Sequence, residues 1–263
     1  METDLEKVSV SRITGDARSV VEDVVARESP LTVILNNREL VTLLCTPSDA
    51  NYLAIGFLSS EGLLAAPGDI KKVLFDEARG IVRVETLEDR AETDEVFKRF
   101  ITSGCGRGAS FYSAADAGEL AKVKSELKVS FGEIWALLKE FQERSELYRS
   151  TGGVHSAALC DAKSVLVFAE DVGRHNAIDK VFGRCFLEGI PTDDRIVLTS
   201  GRISSEILLK VARRNVPVIV SKSAPTTLGV KLAGDLGVTI LGFARGRRMN
   251  AYANDWRVTL DEH

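Results

Sequence analysis

No stretch of this chain approaches the roughly 20 consecutive apolar residues that a membrane-spanning helix needs. Its opening run, Met1-Glu2-Thr3-Asp4-Leu5-Glu6-Lys7, is acidic and holds no apolar signal core, so the expected compartment is the cytoplasm. Cysteine is scarce: Cys45, Cys105, Cys160 and Cys185 lie far apart, with no C-x-x-C pair. A disulfide framework is not expected on that spacing and in that compartment. Histidine is scarcer still, at 3 of 263 residues. His155 is followed by Ser156 and Ala157, and Pro225 by Thr226, so the H-x-E and P-C-x-x-C ligand pattern of zinc deaminases is missing. No metal site is expected. Charge of one sign is also missing. A net charge of −4 gives no general attraction to nucleic acid or to an anionic membrane, and any anionic ligand must be held by a local basic site. There is no internal repeat and no low-complexity segment.

What remains is an ordinary globular composition, 44% hydrophobic and 27% charged, long enough for one large domain or two small ones. Residues 8–13 and 31–45 read as strands, the second run folded into a hairpin at Asn36-Asn37. Pro47-Ser48-Asp49 followed by apolar positions and then Gly62 fits a capped helix with a glycine stop. Residues 70–75 and 80–87 alternate as a second hairpin, and a short helix is expected at 93–101. Residues 110–128 read as a bridge or loose helix. Ser130 and Glu133 have capping-box spacing, and Phe131, Ile134, Trp135, Leu138 and Phe141 recur at helical intervals beyond them. From Gly152 the pattern alternates: strands at 156–160, 164–169, 195–199, 216–221 and 238–243, helices at 175–188, 204–214 and 226–235. Such alternation predicts an open sheet covered by helices on both faces. The overall class is α/β (α+β overall), divided into an N-terminal α+β domain over 1–128 and a second domain over 129–263.

Two kinds of segment carry chemistry. The first is Thr102-Ser103-Gly104-Cys105-Gly106-Arg107-Gly108-Ala109, a lone thiol between glycines with an arginine two residues on. Glycine removes cover from the sulfur, and the arginine with free loop N–H groups favours the thiolate. The other three cysteines lie in apolar runs and are expected to be buried as small hydrophobes. The second kind is a set of loops after strands, where open α/β sheets hold ligands. Arg174 and His175, Arg202, and Lys222 stand near helix starts among small or hydroxyl residues, the composition of an anion site. Phe243-Ala244-Arg245-Gly246-Arg247-Arg248 follows the last strand and suits a nucleotide, guanidinium to phosphate and ring to base. A solvated basic turn fits those six residues as well. His155 after Gly152-Gly153-Val154 serves equally as a hydrogen-bonded loop residue or as a functional one.

Four segments together resemble the FdhD/NarQ family of formate dehydrogenase accessory sulfurtransferases. They are Gly152-Gly153-Val154-His155-Ser156-Ala157-Ala158, residues 170–180 from Glu170 to Lys180, Thr199-Ser200-Gly201-Arg202-Ile203-Ser204-Ser205-Glu206, and Ser223-Ala224-Pro225-Thr226. The likeness runs from about residue 30 to the C-terminus. It implies a cytoplasmic, homodimeric sulfur carrier whose second domain is a cytidine-deaminase-like three-layer fold without the zinc ligands. Cys105 would take persulfide sulfur from a cysteine desulfurase. The cargo would be the molybdenum (or tungsten) bis-pyranopterin guanine dinucleotide cofactor of formate dehydrogenase, with GDP as a surrogate for its nucleotide end. Residues 243–248 would contact that end. Many members carry a second cysteine in C-G-x-C-G, where this chain has Gly108, so a disulfide between those two positions cannot form here. A non-catalytic cofactor chaperone is the competing reading. A nucleotide-modifying enzyme is a third, without a visible acid–base carboxylate pair.

Overall fold

A computed structural model describes residues 4–87 and 120–261. The chain opens in a two-stranded antiparallel ribbon, β1 (Leu5–Thr14) and β2 (Ala17–Ala26), turning at Gly15 with φ 58°. Only part of β1 is legible from the sequence. The ribbon is largely exposed on both faces, so neither strand shows the burial alternation that announces one. Next, β3 (Ser29–Leu35) and β4 (Arg38–Cys45) form the hairpin expected at Asn36 and Asn37, whose φ values of 47° and 64° fit the tight turn that matches strand twist. With β5 (Ile70–Asp76) and β6 (Ile81–Thr86) they make a four-stranded sheet in the order β4-β3-β6-β5. Helix α1 (Ala50–Ser60) covers it. Asp49 sits at the helix entry at φ 59° without a side-chain cap bond, so the expected cap is not made there. The N–H of Ser48 is instead held by the Asp4 carboxylate at 2.9 Å.

The second half begins with residues 120–128, which form neither helix nor strand and so agree with the bridge, not the loose helix, of the two readings of 110–128; residues 110–119 lie outside the described residues. Val123 is buried in its core and donates its N–H to the Leu236 carbonyl, so these residues lie with the second half although the sequence places the boundary after them. Then come β7 (Val129–Ser130), α2 (Phe131–Arg144) and α3 (Glu146–Thr151). At the start of α2 the capping box is made: the Glu133 N–H donates to Ser130 Oγ at 3.2 Å, and the Ser130 N–H to Glu133 Oε2 at 2.7 Å. The rest of the chain alternates: β8 (His155–Cys160), β9 (Val165–Asp171), α4 (Arg174–Glu188), β10 (Ile196–Thr199), α5 (Ser205–Arg213), β11 (Val218–Ser221), α6 (Thr227–Leu236), β12 (Thr239–Arg245), β13 (Arg248–Ala253) and β14 (Val258–Thr259). The main sheet is β13-β12-β11-β10-β8-β9. Ile134, Leu138 and Phe141 of α2 share one core with Leu198 and Val220. Ile178 of α4, Leu208 of α5 and Leu232 of α6 share the other with Val197 and Ile219. Helices therefore flank the sheet on both faces in three layers. Strand β13 is hidden in the sequence because its start is arginine-rich and reads as a turn.

The two halves join along α1 and α4 with almost nothing between the backbones. A Cβ on Gly56 would lie 1.8 Å from the Asp179 carbonyl oxygen, and one on Gly183 would lie 1.8 Å from that of Tyr52. Only glycine permits that approach.

Candidate functional site

Strands β9, β10, β11 and β12 all run the same way, with β8 antiparallel between β9 and β10. Their C-terminal ends therefore share one edge of the sheet. Arg174, Arg202, Lys222 and Arg245 lie at or just beyond those four ends, so the topology gathers the cations expected from the sequence. The loops there are braced by backbone bonds. Ser200 N–H donates to the Ser156 carbonyl at 3.0 Å, Lys222 N–H to Thr199 at 3.3 Å, and Phe243 N–H to Ser223 at 3.0 Å. Ser204 and Thr226 cap α5 and α6 with their hydroxyls, leaving the helix entries well defined.

A cavity of about 560 Å³ opens at this edge, in the size range of small-ligand sites. Lys222, Arg245, His155 and Ser200 line it, with Gly152 and Gly153. Tyr148, Gln142 and Arg149 complete the wall from the α2–α3 corner; sequence reasoning missed them, because α3 is too short to show a period. Arg149 is already committed, donating to the Gln142 and Glu143 carbonyls at the end of α2. Burial lowers the Lys222 pKa. His155 Nδ1 lies 3.2 Å from Ser200 Oγ, which also accepts the Ser156 N–H at 3.0 Å. Burial, then the Arg174 charge, holds the His155 pKa below its usual value.

The β12–β13 turn is tightly wound, with Phe243, Gly246 and Arg247 all left-handed at φ 51°, 58° and 59°. The Arg245 guanidinium stacks 5.6 Å from the Phe243 ring centre. Ala244 is buried in the α2-side core, while Gly246, Arg247 and Arg248 are exposed on the turn. Among the described residues, Lys222 and Arg245 are the members of the expected set that line the cavity. Arg202 is exposed nearby. Arg174 packs its methylenes on Gly201, where a Cβ would meet its own Cβ at 2.8 Å.

His175 stands apart, its Nε2 3.4 Å from Glu206 Oε2. Burial, with Lys210 and Arg174 nearby, pushes its pKa down to about 3. Its Nδ1 and the Nε of Arg174 are buried without a hydrogen-bond partner among the described residues. The other polar residues of this stretch turn inward to the junction of the halves. Asp171 pairs with Lys180 at 2.8 Å, both side chains 0% exposed. The same carboxylate accepts from the Thr46 N–H and hydroxyl and from the Asn176 amide. Asp179 pairs with Lys210 at 2.6 Å and accepts the Ser60 hydroxyl. Glu170 accepts the Leu147 and Tyr148 N–H groups at the start of α3. This charged run, suggestive of a ligand site in sequence, is largely spent on assembly.

Cys45, Cys160 and Cys185 are buried, as their apolar surroundings predict. Burial raises all three thiol pKa values, those of Cys45 and Cys185 to about 12. Cys105, its loop and the expected 93–101 helix lie outside the described residues.

The model of the FdhD/NarQ family matches residues 26–259. The chain is 43% identical to the sulfur carrier protein FdhD of Bacillus subtilis over 241 residues, covering 91% of this chain and 92% of that one. It is 41% identical to the protein of the same name from Listeria innocua over 258 residues, 97% of this chain and 99% of the relative. The crystal structure of a candidate formate dehydrogenase accessory protein from Desulfotalea psychrophila superposes with a TM-score of 0.81 at 27% identity, covering 97% of this chain and 99% of that one.

Proposed function

The chain belongs to the FdhD/NarQ family, and from that premise we propose that it is a sulfur carrier for formate dehydrogenase. Sulfur enters as a persulfide on Cys105, donated by a cysteine desulfurase. It leaves to the molybdenum (or tungsten) bis-pyranopterin guanine dinucleotide cofactor, whose nucleotide end binds at the cationic sheet edge. The observation that carries this reading is the state of the other thiols. Three of the four cysteines are sealed in the core with raised pKa values, and a protonated, inaccessible thiol neither attacks nor is attacked. Cys105 is the one that remains.

Loading is a thiol–persulfide exchange. The Cys105 thiolate attacks the outer sulfur of the desulfurase persulfide. The S–S bond breaks there, and the desulfurase cysteine departs as a thiolate, with no net redox change. Unloading breaks the new S–S bond and returns the Cys105 thiolate. The electron pair comes from the cargo's metal centre, which is oxidised as it takes the sulfur. With an external thiol instead, attack on the inner sulfur releases sulfide and leaves a mixed disulfide on Cys105. Gly108 excludes the internal disulfide route. Lys222 and Arg245, which both line the cavity, supply the positive charge a pyrophosphate requires.

The test is transfer of radiolabelled sulfur from a desulfurase to the wild-type protein and to Cys105→Ala. Label is expected on the wild type and lost from the variant. Equal labelling of the two refutes the carrier reading.

A further inference from the structure

The cavity holds one polar group that the cations do not explain. His155 stands at the start of β8, half-buried, and lines the cavity together with Lys222 and Arg245. Its Nδ1 faces Ser200 Oγ at 3.2 Å. That oxygen already accepts the Ser156 N–H at 3.0 Å, and Ser200 O–H has no other acceptor among the described residues. Donation of that hydroxyl proton to Nδ1 gives it an acceptor and makes Nδ1 the unprotonated ring nitrogen. In that arrangement the ring proton sits on Nε2, which makes no hydrogen bond among the described residues.

We propose that His155 is the uncharged hydrogen-bond donor of this cavity, its Nε2–H holding a phosphate oxygen of the bound nucleotide alongside Lys222 and Arg245, and that Ser200 fixes the tautomer that makes it a donor. The inference rests on reading the cavity as the nucleotide site. Three facts favour an anionic oxygen as the ligand atom. Lys222 and Arg245 line the same cavity. A donor without charge adds a directed bond without adding to their mutual repulsion. Burial first, and then the Arg174 charge, disfavours protonation of the ring, which suits a neutral donor. Ser200 acts through His155 and is a positioning residue. Its backbone N–H bond to the Ser156 carbonyl keeps it in register beside the ring.

The experiment is calorimetric titration of the full chain with GDP and with inorganic pyrophosphate, together with nitrogen NMR of the imidazoles, of which the sequence has only 3. In the wild type, the His155 signals should be those of the Nε2–H tautomer. His155→Ala should weaken both ligands by a similar factor of about ten to a hundred. His155→Gln, whose amide nitrogen sits near the Nε2 position, should restore affinity to within about threefold. Ser200→Ala should weaken binding several-fold and shift the His155 signals towards a mixture of tautomers, an effect a purely structural role would not produce. GDP affinity unchanged in His155→Ala while Lys222→Ala loses it would overturn this inference and leave the nucleotide reading standing. So would a wild-type Nδ1–H signal. A wild-type protein that binds neither ligand would remove the nucleotide reading and this inference with it.

Discussion

Replacing Lys180 by methionine strips the ammonium from a pair that no water reaches. Lys180 Nζ and Asp171 Oδ2 are 2.8 Å apart with both side chains 0% exposed. Removing one partner of such a pair costs about 3–5 kcal/mol, because the other charge is stranded. The two single variants should not cost the same. Without Lys180, Asp171 still accepts from Thr46 N–H and hydroxyl, Gly173 N–H and the Asn176 amide, which places Lys180→Met near the lower end, about 3 kcal/mol. Without the carboxylate charge, the ammonium of Asp171→Asn keeps only the Thr46 hydroxyl and the Thr46 and Glu170 carbonyls. That variant belongs near the upper end. The double variant should cost much less than the sum, since neither charge is left alone. Urea unfolding followed by far-ultraviolet circular dichroism and by tryptophan fluorescence measures this. Both tryptophans, Trp135 and Trp256, lie in the second half, whereas dichroism reports the whole chain. Thr46 belongs to the first half, so the two probes should separate in Lys180→Met and coincide in the wild type. A loss under about 1 kcal/mol with coincident transitions would refute the idea that this pair clamps the halves, since a buried pair broken on one side should cost several times that.

Gly183→Ala should destabilise by about 3 kcal/mol or more, since its Cβ meets the Tyr52 carbonyl at 1.8 Å and overpacking against backbone cannot relax cheaply. Gly234→Ala, with nothing within 4 Å, should be neutral or stabilise by up to about 1 kcal/mol; equal melting temperatures for the two variants would count against the joint. His175 is held neutral, its pKa lowered from 6.5 to about 3. The unfolded chain therefore binds the extra proton below about pH 6.5, and stability should fall as pH falls through that window, by roughly 1.4 kcal/mol per unit at most. Urea midpoints at pH 7 and pH 5 should draw together in His175→Gln, and an unchanged difference would exclude His175 as the cause. In native Cys105→Ser, iodoacetamide should modify none of the three remaining thiols, and all three once the protein is denatured; rapid native labelling would contradict their burial.

Local signals carried much of the fold. Asn36-Asn37 and Ser130 with Glu133 each dictate their own turn or cap through neighbours three or fewer residues away, and both form as the sequence predicts. The sheet was legible because β10, β11 and β12 are short apolar runs between helices with a clear polar face. The β1–β2 ribbon was not, since strands exposed on both sides lack a period. At the site, the placing of cations after successive strands was readable because parallel strands must end on one edge. Contacts across long stretches of chain leave no local signal. Asp171, Asp179 and Lys180 look like ligand groups beside His175 until Thr46 and Ser60 are brought against them. The role of Ser200 at His155 is likewise invisible over a separation of 45 residues.

Helix α1 is buried almost all round, nine of its eleven residues lacking exposure, because its own sheet covers one side and α4 the other. On the ribosome these two coverings arrive at different times. Roughly a hundred residues separate α1 from α4, which at about 5–20 residues per second is a delay of order ten seconds. Throughout that interval a nascent chain carries a helix with one greasy flank and no lid, the kind of surface that chaperones seize and that crowded neighbours stick to. Maturation of the first half is thus hostage to translation of the second, and ribosome pauses between the two would be felt as lost yield.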